Sequence, residues 1–235
     1  MITSIEIAEA RQQKRTALDE RAGKSLLAEY GVTVPQSATV RDATGVDAAF
    51  ARLNPPLVVK IMSPDILHKS DAGGVKIGLK SATEVKDAIN AMAASPKIKG
   101  ARIDGYLIEE MAPAGQEIVI GGLRDPQFGP LVMVGLGGIF VEVLADVSFR
   151  ICPITRLDAE EMLDDLKGAA ILAGARGRKP VSRAAIIDVL LKVGGEAGLL
   201  MQHADDITEA DINPLIVSEF AAVAVDARFI LSTPL

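Results

Sequence analysis

The order of apolar and polar residues along the chain predicts short strands alternating with helices. Residues 57–62 form a β-branched run bounded by prolines on both sides, which predicts a buried strand between turns. Residues 75–79 predict a second strand, and Ser81 and Glu84 have the spacing of a capping box that opens a helix to about residue 94. Strand, loop, strand and helix together predict an α+β lobe.

The rest of the chain repeats this mixture. Residues 5–30 are rich in Ala, Leu, Glu, Arg and Lys and contain no proline, which predicts one long helix. Further segments are predicted as strands (106–111, 117–121, 131–134, 211–217 and 221–228) and as helices (158–166 and 182–201). The last two strands are close enough in sequence to form an antiparallel hairpin.

The element order predicts three regions. We expect an N-terminal helical extension at 1–23, a small α+β lobe at 24–104 and a larger α+β lobe at 105–235. A stretch with one proline and two glycines, residues 95–105, is the expected hinge.

Composition excludes several classes of protein. The 235 residues carry a net charge of −6, which argues against a general polyanion binder, and 3% aromatic residues with no Trp disfavour stacking on nucleic-acid bases. The longest uncharged apolar stretch, residues 129–141, is shorter than the roughly 20 residues of a spanning helix. One cysteine and two histidines leave neither an internal disulfide nor a Cys/His zinc site. We expect a cytoplasmic protein without nucleic-acid or membrane partners.

Two common nucleotide-binding motifs are incomplete. Residues 23–25, Gly-Lys-Ser, end like a P-loop, but Leu18 stands where that motif needs its first glycine. Residues 135–138, Gly-Leu-Gly-Gly, begin like a dinucleotide fingerprint, but Phe140 replaces the third glycine. Any nucleotide site must therefore use other residues.

Lys60 and the strand that ends at Glu109-Glu110-Met111 are the first candidates. A lysine inside an apolar strand is costly to bury without a compensating anion, so its ammonium is expected in a cleft; the alternative is a snorkelling surface lysine. After Met111 the chain runs through Ala-Pro-Ala-Gly, and an extended segment leaves backbone groups free to pair with an adenine edge. On these residues alone, the alternative of a solvated strand end is favoured for the paired glutamates.

Asp211, Asn213 and Asp226 are the second set of candidates. Asp211 and Asn213 lie two residues apart, on one strand face, and Asp226 returns on the predicted hairpin partner. Three oxygen-bearing side chains suit Mg²⁺, which adds phosphates and water as further ligands. The alternative is turn chemistry before Pro214.

Residues 58–75, Val-Val-Lys-Ile-Met-Ser-Pro-Asp-Ile-Leu-His-Lys-Ser-Asp-Ala-Gly-Gly-Val, resemble the signature of the ATP-grasp domain in NDP-forming acyl-CoA synthetases, a family that includes the β subunits of ADP-forming acetyl-CoA synthetases. The similarity covers nearly the whole chain from about residue 24 to 230 and continues through Glu109-Glu110-Met111, 125–130, 135–138 with Glu142, Asp146, Arg150 and Pro153, 211–215 and 225–227. It implies an ATP-grasp fold of two α+β lobes with the nucleotide bound between them.

The resemblance also implies roles for individual residues. Lys60 would contact the ATP phosphates, Glu110 and Met111 would offer backbone groups to the adenine, and Glu117 would reach the ribose. Glu109 is a further implied nucleotide-binding residue, and Gly73 and Gly74 would form a mobile phosphate loop. Asn213, Asp226 and Asp211 would hold Mg²⁺. The implied catalytic residues are His68, which would carry phosphate transiently, Arg150, which would steady a phosphorylated loop, and Glu142.

The family reaction is acyl-CoA + ADP + phosphate ⇌ acid + CoA + ATP, relayed through an acyl phosphate and a phosphohistidine. In family members the CoA site and the principal phosphorylated histidine lie in another domain or subunit. We therefore expect an ATP- and Mg²⁺-binding subunit that works with a CoA-binding α subunit, in a hetero-oligomer such as α2β2. The alternatives are a non-catalytic ATP-sensing module and another ATP-dependent carboxylate ligase, such as a carboxylate–amine ligase without the His68 loop.

Overall fold

The computed structural model describes residues 4–66, 69–138, 144–174 and 179–233. The helices are α1 Ile5–Gln12, α2 Glu20–Glu29, α3 Val46–Phe50, α4 Ala82–Ala94, α5 Arg156–Asp164, α6 Ala169–Leu172, α7 Arg183–Gly194 and α8 Leu199–Gln202, with a 3₁₀ turn at Ala43–Gly45. The strands are β1 Ala17–Leu18, β2 Ser37–Val40, β3 Leu57–Met62, β4 Val75–Leu79, β5 Gly105–Glu110, β6 Gln116–Asp125, β7 Gly129–Leu136, β8 Val147–Ile151, β9 Ile207–Val217, β10 Ala222–Ala224 and β11 Arg228–Leu231. Among the helices in these ranges, none combines the length and the apolar character needed to cross a membrane.

The chain forms two compact units. The larger unit contains Met1–Val34 and Pro113–Leu235, and the smaller unit contains Pro35–Ala112. This division differs from the predicted ranges of 1–23, 24–104 and 105–235. The N-terminal segment packs with the C-terminal half, and β5 belongs to the smaller unit because it pairs with both β2 and β3. The chain therefore passes between units near residues 34 and 112, not at the expected hinge.

The smaller unit is an antiparallel four-stranded sheet in the order β2-β5-β3-β4, with α3 and α4 beside it. Alternate residues of β3, Leu57, Val59 and Ile61, pack in one core with Val85 and Ile89 of α4. Helix α4 begins where predicted, because the Ser81 hydroxyl accepts a hydrogen bond from the Glu84 N–H. Val58 and Lys60 therefore lie on the other face of β3.

The larger unit is built on a seven-stranded antiparallel sheet. Its order is β1-β11-β9-β6-β7-β8, and β10 also pairs with β9. The predicted C-terminal hairpin is confirmed by the pairing of Ala222 with Val217, but the predicted strand 221–228 is not continuous. Strand β10 ends at Ala224 and β11 begins at Arg228, so Asp226 lies between the two strands, and β11 pairs further along β9. Helices α5 and α7 cover one face of this sheet, where Val132 and Val134 of β7 share a core with Met162 and Leu190.

The predicted single helix over residues 5–30 is wrong. Helix α1 ends at Gln12, and α2 begins only after Asp19, whose carboxylate accepts the Ala22 N–H at 2.9 Å as an N-cap. Between them lies β1, in which Ala17 pairs with Ile230 of β11. This long-range pairing overrides the helix propensity of the segment. The predicted helix over 182–201 is likewise interrupted, after Gly194.

Candidate functional site

The predicted metal ligands converge in the larger unit. Asp211 and Asn213 are alternate residues of β9, and the Asn213 N–H donates to the Asp226 carbonyl oxygen at 3.2 Å. Desolvation, followed by the negative charge of Asp226, raises the pKa of Asp211, while Arg228 on the neighbouring strand acts in the opposite direction. The two carboxylates are thus close enough to repel each other.

This donor set fits magnesium. Two carboxylates and one amide oxygen are hard oxygen ligands, and bound Mg²⁺ would relieve the repulsion between Asp211 and Asp226. Within the described ranges no group of three His, Cys, Asp or Glu side chains forms a metal site by itself.

The structure bears on the alternative of turn chemistry before Pro214. Strand β9 spans Ile207–Val217, so Pro214 lies inside a strand, where the register of β9 against β6 shifts between the pairs Ile120–Ile212 and Ile118–Leu215. Asp211 pairs directly with Arg228 of β11 and with Gly121 of β6. Asp211 therefore occupies a central strand position and caps no turn.

Lys60 forms a buried ion pair with Glu109. The Lys60 Nζ lies 3.1 Å from the Glu109 Oε2, and the two side chains are 8% and 1% exposed. The strand register explains the contact, because Val58 pairs with Glu109 and Lys60 pairs with Leu107, which makes Lys60 and Glu109 diagonal neighbours on one face. The alternative of a snorkelling surface lysine is excluded. Glu109 was expected among the nucleotide-binding residues, and in the structure its carboxylate compensates the Lys60 ammonium.

The strand end at Glu110 and Met111 is already hydrogen bonded. The Glu110 N–H donates to the Gln36 carbonyl at 3.0 Å, and the Met111 N–H donates to the Pro56 carbonyl at 3.1 Å. The Glu110 carboxylate accepts hydrogen bonds from the backbone N–H and the side-chain amide of Asn54, at 2.9 and 2.8 Å. An adenine contact through these two N–H groups requires those backbone bonds to open.

Gly73 and Gly74 serve the turn before β4. The Gly73 N–H donates to the Ser70 carbonyl and the Gly74 N–H to the Lys69 carbonyl, at 3.0 and 2.7 Å. Gly73 has a φ of +76°, and a Cβ on Gly74 would lie 2.5 Å from the Ile61 side chain. Glycine is therefore required here by backbone conformation and by packing, and both N–H groups are engaged within the unit.

Glu117 lies in the larger unit beside the glycine-rich segment. It is an exposed residue of β6, and its carbonyl oxygen accepts the Gly137 N–H at 2.8 Å. A Cβ on Gly137 would approach the Glu117 Cβ to 2.7 Å. The glycine at 137 thus allows the backbone to pass close to Glu117.

Arg150 is not brought to the metal cluster. It pairs with Val132, whereas Phe149 pairs with Met133, and Met133 shares a cross-strand row with Gly121 and Asp211. Arg150 therefore belongs to the helix-covered face of the sheet and Asp211 to the other face. Its guanidinium lies 2.9 Å from the Asp165 carboxylate at the end of α5, and hydrogen bonds from Arg150 and then Ser148 lower the pKa of Asp165. The other two expected catalytic residues, His68 and Glu142, lie outside the described residues.

Cys152 is an inert thiol. It is buried in the core of the larger unit, and desolvation raises its pKa to about 12. At pH 8 the thiolate population is therefore about 1,000-fold smaller than for an ordinary cysteine. We expect iodoacetamide to label Cys152 rapidly in urea and very slowly in the native protein, as measured by mass spectrometry. Equal labelling rates in both states would contradict this assignment.

Sequence reasoning missed a second buried ion pair, between Glu20 and Lys24 of α2. Their charged atoms are 2.9 Å apart, and both side chains are about 5% exposed or less. The signal available was the spacing of four residues between an acid and a lysine on a helix. That spacing usually marks a solvated helix face, so it gave no reason to expect burial.

Residues 9–231 match the family model of the ATP-grasp domain, so the chain is an ATP-grasp protein. The chain is 45% identical over 228 residues to the β subunit of acetate–CoA ligase (ADP-forming) I of Pyrococcus furiosus, which covers 96% of this chain and 97% of that protein. It belongs to the ATP-grasp family that contains these β subunits.

Solved structures agree with this assignment. Acetyl-coenzyme A synthetase 1 of Ca. Korarchaeum cryptofilum, solved with coenzyme A and Ca-AMPCP, superposes with a TM-score of 0.89 at 40% identity, over 96% of this chain and 98% of that one. The same enzyme has been solved with coenzyme A and Mg-AMPPCP, its phosphohistidine segment pointing towards the nucleotide-binding site. That structure gives a TM-score of 0.82 at 39% identity, over 97% of this chain and 98% of that one.

Proposed function

We propose that this chain is the nucleotide-binding subunit of an ADP-forming acyl-CoA ligase of the acetate type. It would take part in the reaction acyl-CoA + ADP + phosphate ⇌ acid + CoA + ATP. The observation that carries the proposal is the grouping of Asp211, Asn213 and Asp226 in the larger unit, in a chain that is 45% identical to a β subunit of such a ligase over 97% of that subunit.

The buried side chains support distinct roles in nucleotide binding. Lys60 has an ammonium whose burial is compensated by Glu109, and a phosphate group is the kind of additional anion that such a buried cation attracts. Asp211, Asn213 and Asp226 would hold Mg²⁺, which when bound neutralises phosphate charge. Contact of Glu117 with the ribose and phosphate transfer through His68 are parts of the same proposal.

The proposal includes a partner. The relative in Pyrococcus furiosus is named as a subunit, and the Korarchaeum structure contains coenzyme A and a phosphohistidine segment. We propose a CoA-binding partner that brings the principal phosphorylated histidine, the carboxylic acid and CoA, in a hetero-oligomer such as α2β2. Arg150, whose described contacts tie β8 to the end of α5, would then steady the larger unit and not the phosphorylated loop.

The test separates binding from turnover. The chain alone is expected to bind Mg·ATP, as measured by calorimetry, and to form no acyl-CoA. After mixing with the CoA-binding partner, thioester formation from ATP, CoA and a panel of carboxylic acids should appear, with each protein alone as control. Thioester formation by the isolated chain would contradict the proposal. Nucleotide binding without turnover in the complex would favour the ATP-sensing alternative.

A further inference from the structure

The buried pair Glu20–Lys24 lies against the segment that carries Asp226. Besides the Glu20 carboxylate at 2.9 Å, the Lys24 Nζ donates to the Val225 carbonyl oxygen at 3.3 Å. Lys24 is therefore anchored within α2 and hydrogen bonded to the residue that immediately precedes Asp226. The Lys24 side chain is 5% exposed, so water does not compete freely for these contacts.

Gly23, which precedes Lys24 in α2, also contacts the segment that carries Asp226. A Cβ at Gly23 would lie 2.7 Å from the Ala227 carbonyl oxygen, which means that the helix backbone packs directly on the residue following Asp226. Helix α2 thus contacts the chain on both sides of Asp226, at Val225 and at Ala227. No side chain larger than hydrogen fits at position 23 without moving one of the two backbones.

Strand β9 holds the same segment from another direction. The Val225 N–H donates to the Pro214 carbonyl at 3.0 Å, and the Asn213 N–H donates to the Asp226 carbonyl at 3.2 Å. The backbone around Asp226 is therefore hydrogen bonded both to α2 and to the strand that supplies the other two oxygen ligands. Lys24 contributes the contact from the helix side.

We propose that Lys24, oriented by Glu20, is a positioning residue for the metal ligand Asp226. Mg²⁺ demands near-ideal octahedral geometry with oxygens at about 2.0–2.1 Å, so a small shift of the 225–227 backbone changes its affinity. The inference deepens the proposed function, because it rests on Asp226 holding the cation. It makes α2 a support of the metal site, although the sequence placed Glu20 in an extension without a role and Lys24 in the small lobe.

The test uses a variant that removes both charges. Lys24→Met alone would leave Glu20 buried without its cation, whereas Glu20→Leu/Lys24→Met replaces the pair by side chains of similar volume and keeps the fold. We expect the double variant to need at least 10-fold more Mg²⁺ for half-maximal ATP binding by calorimetry. Its thermal midpoint without metal and its weak ATP binding in EDTA should stay at the parental values.

A matched control is available in α7. Asp188 and Lys192 are also an acid and a lysine four residues apart, and the Lys192 Nζ likewise donates to a backbone carbonyl, that of Gly31, at 2.8 Å. Asp188→Leu/Lys192→Met should leave the Mg²⁺ requirement unchanged. A shift as large as that of the α2 variant would overturn the inference, because the effect would then be general.

Further results test the role of Lys24 in positioning Asp226. An unchanged Mg²⁺ requirement in Glu20→Leu/Lys24→Met would overturn the role of Lys24 and leave the proposed function standing. ATP binding by the parental chain that does not depend on Mg²⁺ would overturn both. Gly23→Ala pushes on the Ala227 carbonyl without altering any charge, so it tests the premise that the 225–227 backbone sets Mg²⁺ affinity: a raised Mg²⁺ requirement supports this premise and a parental one overturns the inference. If Glu20→Leu/Lys24→Met does not fold, Glu20→Gln/Lys24→Gln removes the same two charges with polar side chains, and its Mg²⁺ requirement decides the role of Lys24 in the same way.

Discussion

Replacing Lys60 by alanine is expected to destabilise the smaller unit by about 3–5 kcal/mol, because the buried Glu109 carboxylate would lose the ammonium 3.1 Å away from it. ATP binding should weaken as well, by about 1.5–3 kcal/mol, because a charge-assisted phosphate contact is lost. Urea unfolding measures the first effect and calorimetry the second. An unchanged free energy of unfolding would mean that the ion pair does not balance the burial of Glu109.

Two further variants separate stability from binding. Lys60→Met/Glu109→Leu removes both charges, so it should restore most of the stability while ATP binding stays weak. Lys86→Met breaks the exposed ion pair with Asp47 in the same unit, and this should cost about 1 kcal/mol or less. Parental ATP affinity in the double variant would show that the nucleotide does not need the Lys60 ammonium.

Local sequence signals predicted the elements that carry the site. The β-branched run around Lys60 predicted β3, and Ser81 as an N-cap predicted the start of α4. The short spacing between the last strands predicted the β9–β10 hairpin. The two-residue period of a strand placed Asp211 and Asn213 together, and the hairpin brought Asp226 back beside them. These features depend on contacts close in sequence.

The features that were missed depend on contacts distant in sequence. The break between α1 and α2 follows from the pairing of Ala17 with Ile230, and helix propensity alone cannot reveal it. The boundary of the smaller unit follows from β5 lying between β2 and β3. The Arg150 side chain could not be assigned to a face, because its direction depends on the register of β8 against β7. A family signature identifies residues, but their orientation is a property of the folded sheet.

Asp226→Asn is expected to raise the Mg²⁺ requirement and to lower turnover of the complete enzyme by on the order of 100-fold. Residues that only support a metal ligand contribute about 10- to 100-fold, so a direct ligand is expected at the upper end of that range. The change removes a full negative charge next to the cation, whereas the amide keeps the shape of the side chain. Asn213→Asp should have a smaller effect, because it retains an oxygen ligand and adds charge. Mg²⁺ titrations of ATP binding and thioester assays with the partner measure the two effects.

The ranking of these variants tests the arrangement of the cluster. Asp205→Asn serves as a control, because this carboxylate is 80% exposed and belongs to the same unit. If it depressed Mg²⁺ affinity as much as Asp226→Asn, the effect would be one of general surface charge. Asn213→Asp could instead prove the more damaging change. In that case, adding a third carboxylate beside Asp211 and Asp226, which already repel each other, would lower Mg²⁺ affinity more than removing the Asp226 carboxylate does. A nucleotide-bound structure with oxygens of Asn213 and Asp226 at about 2.0–2.1 Å from the metal, or one water away, would support the expected order.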